Sequence, residues 1–183
     1  MLKRSSALVL ALAMLTALAP ATLGAASAEA LLPNVLVNGS FEYGQAAWTV
    51  NAQGAACSRY GLASAWAAHG EASFYFETVR HEPAVCAIHQ DAVAVPGVAY
   101  AAAAALNVVT LAADGPALVL SFLDALGQPI ASERQHATSL GEQGLLVEGV
   151  APIGAAKVRF QVAMSPTDAS AAFIDDARLT ATP

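Results

Sequence analysis

"PGVAYAAAAALNVVTLA", residues 96–112, can be a helix or a strand, and the backbone class of the whole chain follows from which it is. Ala101 to Ala105 have the best helix propensity of any residue type. Their flanks point the other way. Pro96-Gly97 is a turn signal, and Val108, Val109 and Thr110 are β-branched residues that suit a pleated surface. Alanines on a strand also keep both faces shallow, which lets two sheets approach closely. The segment is read as a strand.

The same alternation recurs on both sides of it. "SFYFETV" (73–79) sets Phe74 and Phe76 against Tyr75 and Glu77, and "KVRFQVAM" (157–164) sets Val158, Phe160 and Val162 against Lys157, Arg159 and Gln161. "ALVLSFLDALGQPIAS" (117–132) reads as two strands joined at Asp124–Gly127, where Asp favours the start of a turn and Gly accepts positive φ. Short strands at this spacing predict an all-β chain folded as a two-sheet antiparallel β-sandwich. No linker or repeat divides residues 31–183, so they are read as one domain, long enough to bury about two thirds of the unfolded surface around one core.

Residues 1–28 are read separately. Lys3 and Arg4, an apolar run from Ala7 to Leu18, and Ala26-Ser27-Ala28 have the layout of a secretory signal peptide. Pro20 cuts the run short of the about 20 apolar residues a transmembrane helix needs. The expectation is a secreted protein, extracellular or held in the periplasm or cell envelope, with no membrane span after processing. Loss of Lys3 and Arg4 would leave 6 basic against 14 acidic residues, a net charge of −8, which argues against nucleic acid as a partner.

Cys57 and Cys86 are the two cysteines of the chain. An even count in an exported protein points to a disulfide, which would stabilise the fold by about 3.6 kcal/mol for a loop of this length, with two free buried thiols as the alternative. No C-x-x-C pair suggests a redox role.

Six segments in order resemble the family 4/9-type carbohydrate-binding modules: "LLPNVLVNGSFEYGQAAWTV" (31–50), "HGEASFYFET" (69–78), "HQDAVAVPGVAYAAAAA" (89–105), "LSFLDALGQPI" (120–130), "GVAPIGAAKVRFQVAM" (149–164) and "AAFIDDARLTA" (171–181). The resemblance implies a galactose-binding-like jelly roll, with Trp48 and Tyr100 at core positions. It also implies a structural calcium between the first and last strands, with Glu42 of the Asn-Gly-x-Phe-Glu motif supplying a carboxylate. Strand parity groups Phe173, Asp175, Ala177 and Leu179 on one face, taken as the apolar one, and Ile174, Asp176, Arg178 and Thr180 on the other. A bare carboxylate facing a core is costly, so Asp175 is read as the second calcium ligand, or else as an acceptor of backbone N–H groups or a partner of a basic side chain. Asp176 is read as solvated.

A module that binds sugar needs flat aromatic rings to stack on pyranose faces, with polar groups beside them. Tyr60, Trp66 and Tyr75, with Glu77 beside Tyr75, are the candidates, Trp66 being as suited to the core as to a platform. No catalytic residue is identified: no G-x-S-x-G elbow, H-E-x-x-H helix or phosphate loop occurs, and His69, His81, His89 and His136 are not spaced as metal ligands. The sequence therefore reads as a non-catalytic, lectin-like module for a polysaccharide or cell-wall glycan. The alternative is an extracellular structural or adhesion protein using the same sandwich for contacts with another extracellular protein. What separates the two is whether Tyr60, Trp66 and Tyr75 lie along one groove.

Overall fold

The computed structural model describes residues 32–53, 57–79, 85–165 and 168–182; the expected signal peptide lies outside them. Ten strands and no helix are present among these residues: β1 (Thr49–Gln53), β2 (Cys57–Ala63), β3 (Ser73–Thr78), β4 (Val85–Val93), β5 (Ala99–Thr110), β6 (Ala117–Leu123), β7 (Pro129–His136), β8 (Gly141–Val150), β9 (Lys157–Ala163) and β10 (Ser170–Thr182). They form two five-stranded antiparallel sheets, ordered β1-β4-β9-β6-β7 and β2-β3-β10-β5-β8. The predicted β-sandwich is the observed fold.

The alanine segment is strand β5, the penultimate member of the second sheet. Tyr100, Ala102, Ala104, Leu106 and Val108 are buried between the sheets, while the alternate residues face outward. Packing overrides helix propensity here, because a strand can offer an apolar residue to the core at every second position along its length. Asp124 closes the β6–β7 turn as its composition suggests, its side chain accepting from the Leu126 and Gln128 amides at 2.8 Å, with Gly127 at φ 80°.

The Asn38-Gly39-x-Phe41-Glu42 motif is a compact hub in physical terms. The Asn38 carbonyl accepts from Trp48 Nε1 at 2.9 Å, and its side chain both donates to the Gly44 carbonyl and accepts from the Tyr43 amide. Phe41 is fully buried and stacks on Trp48, with ring centroids 5.0 Å apart. Gly39 lies so close to β10 that an added Cβ would fall 2.1 Å from the Ala177 carbonyl oxygen, so no side chain fits there. Trp48 and Tyr100 are both in the core, as the resemblance implies. The Cys57–Cys86 disulfide is present, with Cα atoms 5.7 Å apart, and it joins β2 of one sheet to β4 of the other.

One expectation fails for a definite reason. β10 carries a bulge between Asp175, opposite Ala105, and Arg178, opposite Ala103, with Asp176 at φ 47°. Three steps along β10 match two along β5, so the faces exchange at this point. Before the bulge Ala172 and Ile174 face the core; after it Ala177 and Leu179 do. Asp175 therefore shares the outer face with Phe173, not the core face with Ala177 and Leu179. It is nonetheless fully buried, because the segment between β2 and β3 crosses over it.

Candidate functional site

The outer face of the second sheet carries a row of three rings. Tyr75 on β3 lies opposite Phe173 on β10, their centroids 4.9 Å apart, and Trp66, on the loop between β2 and β3, lies 6.3 Å beyond Phe173. The row runs across the strands. On the other flank of Tyr75, β2 places Gly61 directly opposite, where nothing lies within 4 Å of an added Cβ. The missing side chain leaves a groove of about 380 Å³ bordered by Arg59, Gly61, Ala63, Tyr75, Val109 and Phe173. A second hollow of about 390 Å³ lies on the far side of the row, with Trp66, Ala68 and Glu142 among its walls.

Polar groups flank these rings. Glu77 accepts from the Tyr75 hydroxyl at 2.7 Å through Oε2 and from Ser58 Oγ at 3.2 Å through Oε1. Burial and this bond to a carboxylate push the Tyr75 phenol up to about 12, so it stays a donor at any physiological pH. The Arg59 guanidinium stands 5.7 Å over the Tyr75 ring. At the other end Trp66 Nε1 donates to Glu142 Oε1 at 2.8 Å, which holds the indole at the surface, outside the core.

Tyr60 does not join the row. It lies opposite Phe76, a core residue, and its ring stacks on Phe76 at 5.5 Å. It therefore projects from the core side of the edge strand β2 and only borders the groove. Of the four residues expected to bind sugar, Tyr60 and Tyr75 border the same groove, Glu77 bonds the Tyr75 hydroxyl, and Trp66 lines the second hollow, with Phe173 between Tyr75 and Trp66. The bulge hid Phe173: parity carried through it groups Phe173 with core residues.

The two expected calcium ligands meet at one loop. Asp175 Oδ2 accepts from the Ala68 and His69 amides, both at 2.8 Å, and Glu42 Oε1 accepts from the Glu71 and Ala72 amides at 3.0 and 2.8 Å. Burial pushes the Asp175 carboxyl above the usual range, outweighing the amides that lower it. Its Oδ1 is buried with no hydrogen-bond partner among the described residues, and an oxygen of this kind suits a hard cation. No group of three or more His, Cys, Asp or Glu side chains is placed to hold a metal among the described residues. A cation at Asp175 would thus need backbone carbonyls to complete its shell. Asp176 instead pairs with Arg178 at 2.9 Å.

The outer face of the first sheet is polar, and the sequence reading passed over it. Arg159 on β9 bonds Asp91 on β4 through Nε at 2.6 Å and Nη2 at 3.0 Å, with His89 and Gln161 forming the next pair along. Burial works to raise the Asp91 carboxyl, but the guanidinium holds it below its ordinary value; burial and Arg159 together lower His89. The alternation of "KVRFQVAM" already put Arg159 and Gln161 on that face, but nothing local pairs them with β4.

No family model and no curated protein matches this chain. Solved structures do. The enzymatically active domain of bacteriophage CBA120 tailspike protein 4 matches with a TM-score of 0.66 and 17% identity, covering 81% of this chain and 21% of that one. TmCBM61, solved with β-1,4-galactotriose, matches with a TM-score of 0.55 and 21% identity over 82% of this chain and 99% of that one. A family 4 carbohydrate-binding module matches with 0.57 and 14%, over 80% and 99%. The chain thus spans about a fifth of the tailspike domain and nearly all of each module. Modules of different families match alike, so the likeness establishes the jelly roll and not the 4/9 family in particular.

Proposed function

We propose that this chain is a secreted, non-catalytic carbohydrate-binding module of the 4/9 type that takes a polysaccharide or cell-wall glycan on the outer face of its second sheet. The observation that carries this reading is the row Tyr75–Phe173–Trp66, with Glu77 and Glu142 beside it and an open groove at Gly61. Rings in a row across the strands suit successive apolar sugar faces, and the carboxylates suit hydroxyls. The disulfide supports an oxidising compartment, and no helix among the described residues is long and apolar enough to cross a membrane. A structural calcium held by Glu42, Asp175 and backbone carbonyls would brace the loop that carries Trp66, without touching the sugar.

A glycan array and pull-down on insoluble polysaccharides test this reading, with Tyr75→Ala/Phe173→Ala beside the wild type. Binding that the double variant loses supports it. Absence of binding across the panel would sink it and favour the second reading, an extracellular structural or adhesion protein. Exposed Val93, Val150 and Ile153 favour that second reading, since they sit at the sandwich end where the β4–β5 and β8–β9 turns are hydrogen-bonded together.

A further inference from the structure

Among the described residues Arg59 is the one cation bordering the aromatic groove, and it is poorly engaged for an arginine. Its nearest carboxylate oxygen, Glu77 Oε2, is 3.9 Å away, its side chain is 75% exposed, and it makes no hydrogen bond among the described residues. A pair so long and so exposed contributes little. Glu77 has no need of it, since Tyr75 and Ser58 already donate to its two oxygens. The other paired arginines differ: Arg159 and Arg178 each direct two donors at a carboxylate within 3.1 Å. Arg59 instead leaves its planar fork of donors over the Tyr75 ring, where it borders the space that a sugar stacked on Tyr75 and Phe173 would enter.

We propose that Arg59 sets the specificity of the groove, by binding the carboxylate of an acidic sugar whose pyranose ring lies on Tyr75 and Phe173. This rests on the glycan-binding reading and narrows it to uronic-acid-containing chains. A guanidinium matches a carboxylate in a two-bond geometry that a neutral sugar cannot supply. A neutral sugar offers Arg59 only hydroxyl oxygens, which accept weaker hydrogen bonds than a carboxylate does. An acidic one replaces the weak 3.9 Å contact with a charge-assisted pair while Glu77 keeps Tyr75 and Ser58. The net negative charge of the chain opposes acidic polymers at long range, so discrimination has to come from this local contact.

The test uses trigalacturonate and its fully methyl-esterified form, which differ in charge alone apart from the added methyl groups, with binding measured by calorimetry. Wild type should bind the acid at least about tenfold more tightly than the ester. Arg59→Gln should abolish the difference by weakening the acid alone, and Tyr75→Ala should weaken both. Equal or tighter binding of the ester by wild type, or a preference for the acid that persists in Arg59→Gln, overturns the specificity proposal and leaves glycan binding standing. No binding of either oligosaccharide overturns the proposal for this groove, and the polysaccharide panel then decides the broader reading by itself.

Discussion

Glu42 and Asp175, 133 positions apart in sequence, accept four backbone amides from one five-residue stretch, Ala68 to Ala72. The loop that presents Trp66 is therefore held from below by β10 and from the side by the opening motif. Removing the Asp175 carboxylate takes the acceptor from the Ala68 and His69 amides and leaves a hole where a fully buried side chain stood. Asp175→Ala should cost about 2–4 kcal/mol, lowering the melting temperature by about 5–15 °C. Glu42 is exposed, so Glu42→Ala should cost less. Thermal unfolding followed by circular dichroism checks both, and equal effects would contradict the difference in burial.

The unpartnered Asp175 Oδ1 separates a loop clamp from a metal site. With calcium bound, a chelator should lower the melting temperature of the wild type, and Asp175→Ala should be insensitive to it. Equal melting of the wild type with and without chelator would leave the amide clamp as the whole role of the two carboxylates.

The strand at 99–110, the hairpin at Asp124–Gly127 and the buried Trp48 and Tyr100 were legible because local composition and alternation agree with the tertiary environment. Tyr75 and Glu77 were legible for the same reason. Phe173 and the true face of Asp175 were not, since a bulge is one extra residue whose only trace is Asp176 at positive φ, which an Asp tolerates without announcing it. Tyr60 borders the groove from the other side of β2: its side depends on the register of β2 against β3, a long-range pairing that no local pattern encodes.

Acid should weaken the first sheet through Asp91. Its carboxyl titrates below its ordinary value in the folded state, so the folded state binds fewer protons than the unfolded one in that range. The stabilisation is complete above the unfolded value of about 4 and is lost as pH falls through the folded one. His89, also lowered, adds a loss of the same sign that begins below about 6.5. Asp91→Asn should be less stable than wild type at neutral pH, and the gap should close as the pH is lowered below about 4. A gap that stays constant across that range would show that the Asp91–Arg159 pair contributes nothing.

The two tryptophans provide a direct optical test of the groove. Trp48 is packed between Phe41 and Phe160 and bonded to the Asn38 carbonyl, whereas Trp66 lies half-exposed at the wall of the second hollow. Acrylamide should quench Trp66 and spare Trp48, so Trp66→Phe should lose most of the quenchable emission and Trp48 should remain as a blue-shifted residue. A ligand lying along Tyr75, Phe173 and Trp66 should then protect the wild-type emission from quenching and leave that of Trp66→Phe unchanged. Glu142→Gln keeps an acceptor for the indole N–H and should preserve this protection, while Glu142→Ala frees the ring and should reduce both protection and affinity. Protection that persists undiminished in Phe173→Ala would mean that ligand does not cross the sheet along the row, because that ring is the only aromatic bridge between Tyr75 and Trp66 among the described residues.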